Sequence, residues 1–372
     1  MNPIQNLLSF GKRLQSLETL LEQYRIKNTH LESEIKEIHS KLGIVNEHSN
    51  QINQIQAAMA DVTNQFALKQ WETFWRIYSE WWSWGATHHL LEEFNYIERF
   101  DTFWENELPS IWLIYICCLL ERGDKAHALT VLEKYLRRFG DANISRYLPV
   151  ASLYAECQRQ IPDSIATAQT VRDLLLKRQK DHLFETYVKQ AQSIAVVGNS
   201  NREIGKGLGT AIDSHDIVIR FNNYEGKTPE DYGHKTTVWV RNGSPDCPDF
   251  AEKQKFDYVI WADDYEHTFV QGNLLNLLAR DIESRNYIAV TIPATSHLSL
   301  RKSGNLLNPT SGAYLIYYLS EILKSFRHVD FYGFSFVDDV ITKGDCHTDD
   351  LLNWHEMSTE IPFLQALISR LR

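Results

Sequence analysis

The chain has 372 residues, 43% hydrophobic and 12% aromatic, long enough for two or three domains and too apolar for wholesale disorder. Acidic residues outnumber basic ones by 48 to 38, a formal net charge of −10, which argues against a nucleic-acid-binding surface. Five cysteines without a CxxC pair argue against a disulfide framework or a zinc ribbon and point to a reducing cytoplasm.

In residues 1–66, apolar side chains recur in steps of three and four at Leu14, Leu17, Leu21, Tyr24, Leu31, Ile35, Ile38, Leu42 and Val45. Asn28 fills the one gap, at an a position where a buried amide penalises wrong registers. This heptad seam predicts homo-oligomerisation through residues 14–66; a helix folded back on its own chain is the alternative.

Residues 67–190 read as an all-helical domain. It opens with an aromatic cluster of Trp71, Phe74, Trp75, Tyr78, Trp81, Trp82 and Trp84, spaced to fall mostly on one helical face. An aromatic-rich core is the plain reading, and contact with a membrane surface or an assembly complex is the other. Ala126, Ala128, Leu129, Leu132 and Leu136, after a Gly-Asp turn, predict helical hairpins of tetratricopeptide type without a clean repeat. The longest apolar run, Ile111 to Leu120, stops at Glu121-Arg122, well short of the ~20 residues a bilayer requires. No basic-then-apolar leader opens the sequence. The expected location is cytoplasmic, with peripheral contact at the inner face of the membrane left open.

Residues 191–372 change texture. Short β-rich runs at 194–197, 217–221, 236–240, 258–261, 287–292 and 329–332 alternate with helical stretches such as 274–284 and 312–326. That alternation predicts an α/β fold, a Rossmann-like parallel sheet with helices on both faces. The first strand runs into Gly198-Asn199-Ser200, where ligands of open α/β sheets bind. Gly205, Gly207 and Gly209 follow as GxGxG, which is neither the dinucleotide fingerprint nor a P-loop. Backbone approach to a phosphate and ordinary turn chemistry both fit these glycines.

The longer strings are more specific. Residues 196–223, VVGNSNREIGKGLGTAIDSHDIVIRFNN, resemble sialylmotif L of the eukaryotic-type sialyltransferases, glycosyltransferase family 29. Asp231-Tyr-Gly-His-Lys-Thr-Thr237 resembles its DxGxxTT continuation. Asn308-Pro-Thr-Ser-Gly312, with the following helix and Val329-Asp-Phe-Tyr-Gly-Phe334, resembles sialylmotif S. His355-Glu-Met-Ser-Thr-Glu360 resembles the C-terminal HxxxxE motif, and His347 stands where the third motif has a histidine. The third motif departs from the pattern: Thr348-Asp349-Asp350 replaces its usual aromatics. The resemblance does not extend to residues 1–190.

The resemblance implies a bacterial-type sialyltransferase domain that inverts at the anomeric carbon, with no metal and no cofactor beyond a CMP-sugar co-substrate. The donor would be a CMP-activated acidic sugar and the acceptor a hydroxyl of a glycan or glycoconjugate in surface polysaccharide biosynthesis. CMP-Kdo is the alternative donor, and an inactive scaffold of a glycan-assembly complex the second alternative. A hydroxyl is a poor nucleophile at neutral pH, so a histidine base is expected; His355 is assigned that role, with Glu360 orienting it or the acceptor. Gly198, Asn199, Ser200, Asn222, Thr310, Ser311, Gly312 and His347 are expected to bind the donor. Luminal members of the family join motifs L and S by a disulfide; the corresponding positions here are Ile194 and Phe326. Acid pairs such as Asp263-Asp264 are not DxD and read as solvated loop charges. Arg220 and Asp216 read as a structural pair or hydrogen-bond network, and His215 as structural.

Overall fold

The computed structural model describes residue 33 and residues 70–98, 108–243, 247, 249–250, 254–270, 273–334 and 357–372. The chain divides into two compact units, Met1–Trp75 and Arg76–Arg372. In the first, Ser33 and residues 70–75 are helical. The heptad seam lies outside the described residues.

Among the described residues, the second unit begins with seven helices: α1 (76–84), α2 (His88–Glu98), α3 (Pro109–Glu121), α4 (Lys125–Phe139), α5 (Leu148–Cys157), α6 (Asp163–Lys180) and α7 (Leu183–Gln190). α3 packs on α4, and α5 on α6. Asp124 caps α4 by accepting from the His127 amide, and Gly140 ends it at φ +62°. α3 is buried from Ile111 to Leu119, so its uniformly apolar surface is that of a core helix. Among the described residues no helix is long and apolar enough to cross a membrane. Burial pushes the Cys117 and Cys118 thiols well above their usual range, which leaves them as packing groups. Tyr78 and Trp81 are buried, Tyr78 edge-on to Phe269 at 5.1 Å and Trp81 at 6.3 Å from Tyr147.

Six parallel strands follow: β1 (Ile194–Val197), β2 (Ile217–Phe221), β3 (Val238–Arg241), β4 (Tyr258–Trp261), β5 (Ile288–Thr291) and β6 (Val329–Tyr332). They order as β5-β4-β3-β2-β1-β6. β1 to β4 are short, largely apolar runs buried at every residue, as in parallel sheets covered on both faces, whereas the edge strand β6 carries the exposed Asp330. β3 starts later than the sequence predicts. Thr237 meets Val218 with its hydroxyl as well as its amide, at 2.9 Å each, so a side chain replaces a rung of the ladder. Among the described residues, six helices pack around the sheet: α8 (Gly209–Asp213), α9 (Pro229–Tyr232), α10 (Leu274–Glu283), α11 (Ala294–Gly304), α12 (Ser311–Leu323) and α13 (Met357–Leu371). Ile194 and Phe326, the positions of the family's disulfide, lie in one buried apolar cluster.

The helical layer and the sheet share a buried polar seam. Arg172 donates to both carboxylate oxygens of Glu266, at 2.8 and 2.6 Å. Arg178 donates to the carbonyls of Ala289 and Ile282, at 2.6 Å each. His267 lies between Asp264 (2.8 Å) and Glu121 (3.2 Å). Burial opposes its charge, but the two carboxylates outweigh burial and raise it to about 10. Asp264 is therefore a buried ion-pair partner, which corrects its reading as a solvated loop charge. Arg301 of α11 is 1% exposed; its guanidinium sits 3.9 Å over the Trp82 ring, donates to the Trp82 carbonyl and reaches the Tyr314 hydroxyl at 2.8 Å.

Candidate functional site

The strand order reverses between β1 and β6, the position where open α/β sheets bind ligands beyond the carboxyl ends of their strands. Two backbones cross there. The Gly198 amide donates to the Tyr332 carbonyl at 2.8 Å, and the Ser200 amide to the Gly333 carbonyl at 3.0 Å. A Cβ on Gly198 would stand 2.4 Å from the Gly333 carbonyl oxygen, and one on Gly333 would stand 2.5 Å from that of Gly198. Only glycine permits this approach. The Phe334 ring closes the gap on the other side: it lies 3.2 Å from a Cβ built on Gly198 and 3.3 Å from one built on Gly312. Motif L and the start of the motif S helix therefore meet across one aromatic ring.

The start of α12 is held from below. Thr310 is its N-cap; the hydroxyl accepts from the Ala313 amide at 3.1 Å and donates to Glu360 Oε1 at 2.6 Å. The Thr310 amide donates to Glu360 Oε2 at 2.7 Å. Glu360, in the first turn of α13, is 2% exposed. Burial raises it to about 7 against the opposing effect of the two Thr310 hydrogen bonds. The amides of Ser311 and Gly312 precede the helical ladder, at the positive end of a thirteen-residue helix.

The asparagines brace the strand ends. Asn199 Nδ2 donates to the carbonyls of Phe221 (3.0 Å) and Asn223 (3.1 Å), tying the loop after β1 to the loop after β2. Asn222, at φ +44°, accepts from the Asn242 amide at 3.0 Å and carries the connection on to β3. Ser200 accepts from the Arg202 amide at 3.2 Å, and its carbonyl accepts from the Tyr232 hydroxyl at 2.6 Å. The glycine-rich segment turns toward protein: the Gly205 and Gly207 amides donate to Asp231 at 2.8 and 2.9 Å. Those bonds, with one from the Thr228 hydroxyl, hold the Asp231 carboxyl below its usual range. The turn reading of these glycines is the one the geometry supports. Arg220 donates to the Tyr232 and Lys235 carbonyls, while Asp216 accepts from the Gln192 and Ser193 amides. They belong to separate networks.

Gly198, Asn199, Ser200, Asn222, Thr310, Ser311 and Gly312 thus gather at the carboxyl ends of β1, β2 and β6. Glu360 lies beneath Thr310. His355 and His347 lie outside the described residues. The sequence reading assigned no role to Phe334 or Asp231, although both stand inside quoted motif strings; the glycines beside them were the available signal. Among the described residues no group of three or more His, Cys, Asp or Glu is placed to hold a metal ion.

The family model described as "Glycosyltransferase family 29 (sialyltransferase)" matches residues 147–260. The chain carries a glycosyltransferase family 29 domain. It is an enzyme of the CMP-sugar-dependent glycosyltransferase class. The family 29 match begins within the helical layer, at the segment leading into α5, and runs into β4. Two solved structures resemble the chain. One is a mammalian sialyltransferase in complex with Gal-β-1-3GalNAc-ortho-nitrophenol, at 19% identity and TM-score 0.39, covering 60% of this chain and 82% of that one. The other is a mammalian sialyltransferase at 19% identity and TM-score 0.36, with the same coverage. No curated protein matches the sequence.

Proposed function

We propose that this glycosyltransferase moves a sialic acid, or a related nonulosonic or ulosonic acid, from its CMP donor to a glycan hydroxyl, inverting and without a metal ion. The observation that carries the reading is the meeting of Gly198 and Gly312 on Phe334 at the switch point of the sheet. It sets the loop after β1 beside the positive end of α12. CMP departs with its phosphate already ionised, so the leaving group needs donors more than a strong acid. The Ser311 and Gly312 amides and the Ser311 hydroxyl are those donors, and His347 is assigned the same role from its motif. The Thr310 hydroxyl is committed to Glu360, so Thr310 and Glu360 position the helix start. Asn199, Ser200 and Asn222 frame the nucleotide by fixing the strand ends. His355 takes the acceptor proton as the acceptor oxygen bonds the anomeric carbon and the bond to phosphate breaks. Residues 14–66 hold copies of the chain together.

The test is His355→Ala, assayed with CMP-sialic acid and CMP-Kdo offered in turn. Transfer should fall by roughly 10²-fold or more, the typical contribution of a general base, while CMP affinity is retained. Unchanged turnover refutes the base assignment, and the donor that is consumed identifies the sugar. A folded protein that binds no CMP refutes the transferase reading in favour of a scaffold.

A further inference from the structure

Lys227 lies between the motif strings, in the loop from β2 to α9, yet its side chain returns to the loop after β1. Its ammonium donates to the Asn199 carbonyl at 2.6 Å and to Asn201 Oδ1 at 2.7 Å. The same group sits 5.2 Å from the centroid of the Tyr232 ring. An ammonium has three donors, and these two acceptors are neutral. Among the described residues no carboxylate lies within 4.0 Å of Lys227. The contrast with its neighbours is informative. Lys206 is neutralised by Glu203 at 2.9 Å, and the Arg220 guanidinium is buried under the Tyr232 and Lys235 carbonyls. The chain thus holds a half-buried cation, uncompensated by any described carboxylate, against the backbone of Asn199 at the carboxyl ends of β1 and β2.

We infer that Lys227 supplies the positive charge that meets the phosphate of the CMP donor. The inference rests on the donor reading above and adds a residue to it. An incoming phosphate gives the ammonium a charge-assisted partner where it now has two neutral ones. Lys227 also fixes the Asn199 loop, so the same contact that places the charge places the nucleotide-framing asparagine.

The experiment titrates the full chain with CMP by calorimetry and with cytidine by ligand-detected NMR, which reaches weak affinities. The variants are Lys227→Met and Lys227→Arg. For Lys227→Met, CMP affinity should fall about tenfold to a hundredfold further than cytidine affinity does, the range of a lost charge-assisted hydrogen bond. Lys227→Arg should retain most CMP affinity. Equal loss for CMP and cytidine would reduce Lys227 to a loop staple and overturn the inference, as would unchanged CMP binding in Lys227→Met. Absence of CMP binding in the unsubstituted chain would overturn the donor reading, and the inference with it; this outcome is distinct because it appears before any substitution.

Discussion

Glu360→Gln separates the carboxylate's charge from its shape. Glu360 is 2% exposed, and burial raises it to about 7 from an ordinary 4.5. The folded chain therefore binds this proton more tightly than the unfolded chain does. Below the ordinary value both states are protonated and the group costs nothing. As pH rises from there through 7, the fold must either keep the proton or bury the charge, and stability falls. At about 1.4 kcal/mol per pH unit, the full loss is about 3 kcal/mol. Glutamine keeps the volume and an acceptor for the Thr310 amide, but does not titrate. The assay is urea unfolding of both chains at pH 5 and pH 8, followed by fluorescence of the ten tryptophans. Other titrating groups, including His267, are common to both and cancel in the difference. The variant should be close to the parent at pH 5 and gain on it by about 3 kcal/mol at pH 8. Parallel pH profiles, or a parent that gains on the variant with rising pH, would refute the argument.

Two further substitutions test the loops around β1. Gly198→Ala places a methyl against the Gly333 carbonyl and strains two adjacent amide bonds, so it should destabilise the chain by about 2–4 kcal/mol in urea and weaken CMP binding. Asp231→Asn removes the charge that gathers the Gly205 and Gly207 amides. Those two amides should lose protection in hydrogen exchange while the core of β4 keeps its own, and stability should decline less steeply at acid pH than in the parent, because Asp231 no longer protonates.

Strands β1 to β4 were legible because they are buried at every residue and spell short, largely apolar runs. α11 was not. Its sequence, ATSHLSLRKSG, carries Ser296, His297 and Arg301 in buried positions, and only the Trp82 and Tyr314 rings around Arg301 make such a helix a core element. α12 ends before the predicted Phe326 because Lys324 adopts φ +59°. In the site, the motif strings named the right loops but not their partners. The amides of Gly205 and Gly207 seek a carboxylate more than twenty residues on, and no local spacing announces that. Likewise Phe334 is the last residue of a motif string, and only the parallel pairing of β1 with β6 brings it to Gly198. Lys227 stands in no motif, since what selects it is a position across two loops.

The seam between helices and sheet also dictates when this enzyme can fold. Arg301 meets Trp82 across 219 residues of sequence, and His267 meets Glu121 across 146. During synthesis, α1 and α3 leave the ribosome well before His267 and Arg301, which meet Glu121 and Trp82, have emerged. Contacts of such long sequence separation slow folding and lengthen the time for which apolar surface is exposed. The nascent helical layer is the stage at which a chaperone would be needed, and Arg301 is the residue whose arrival closes it.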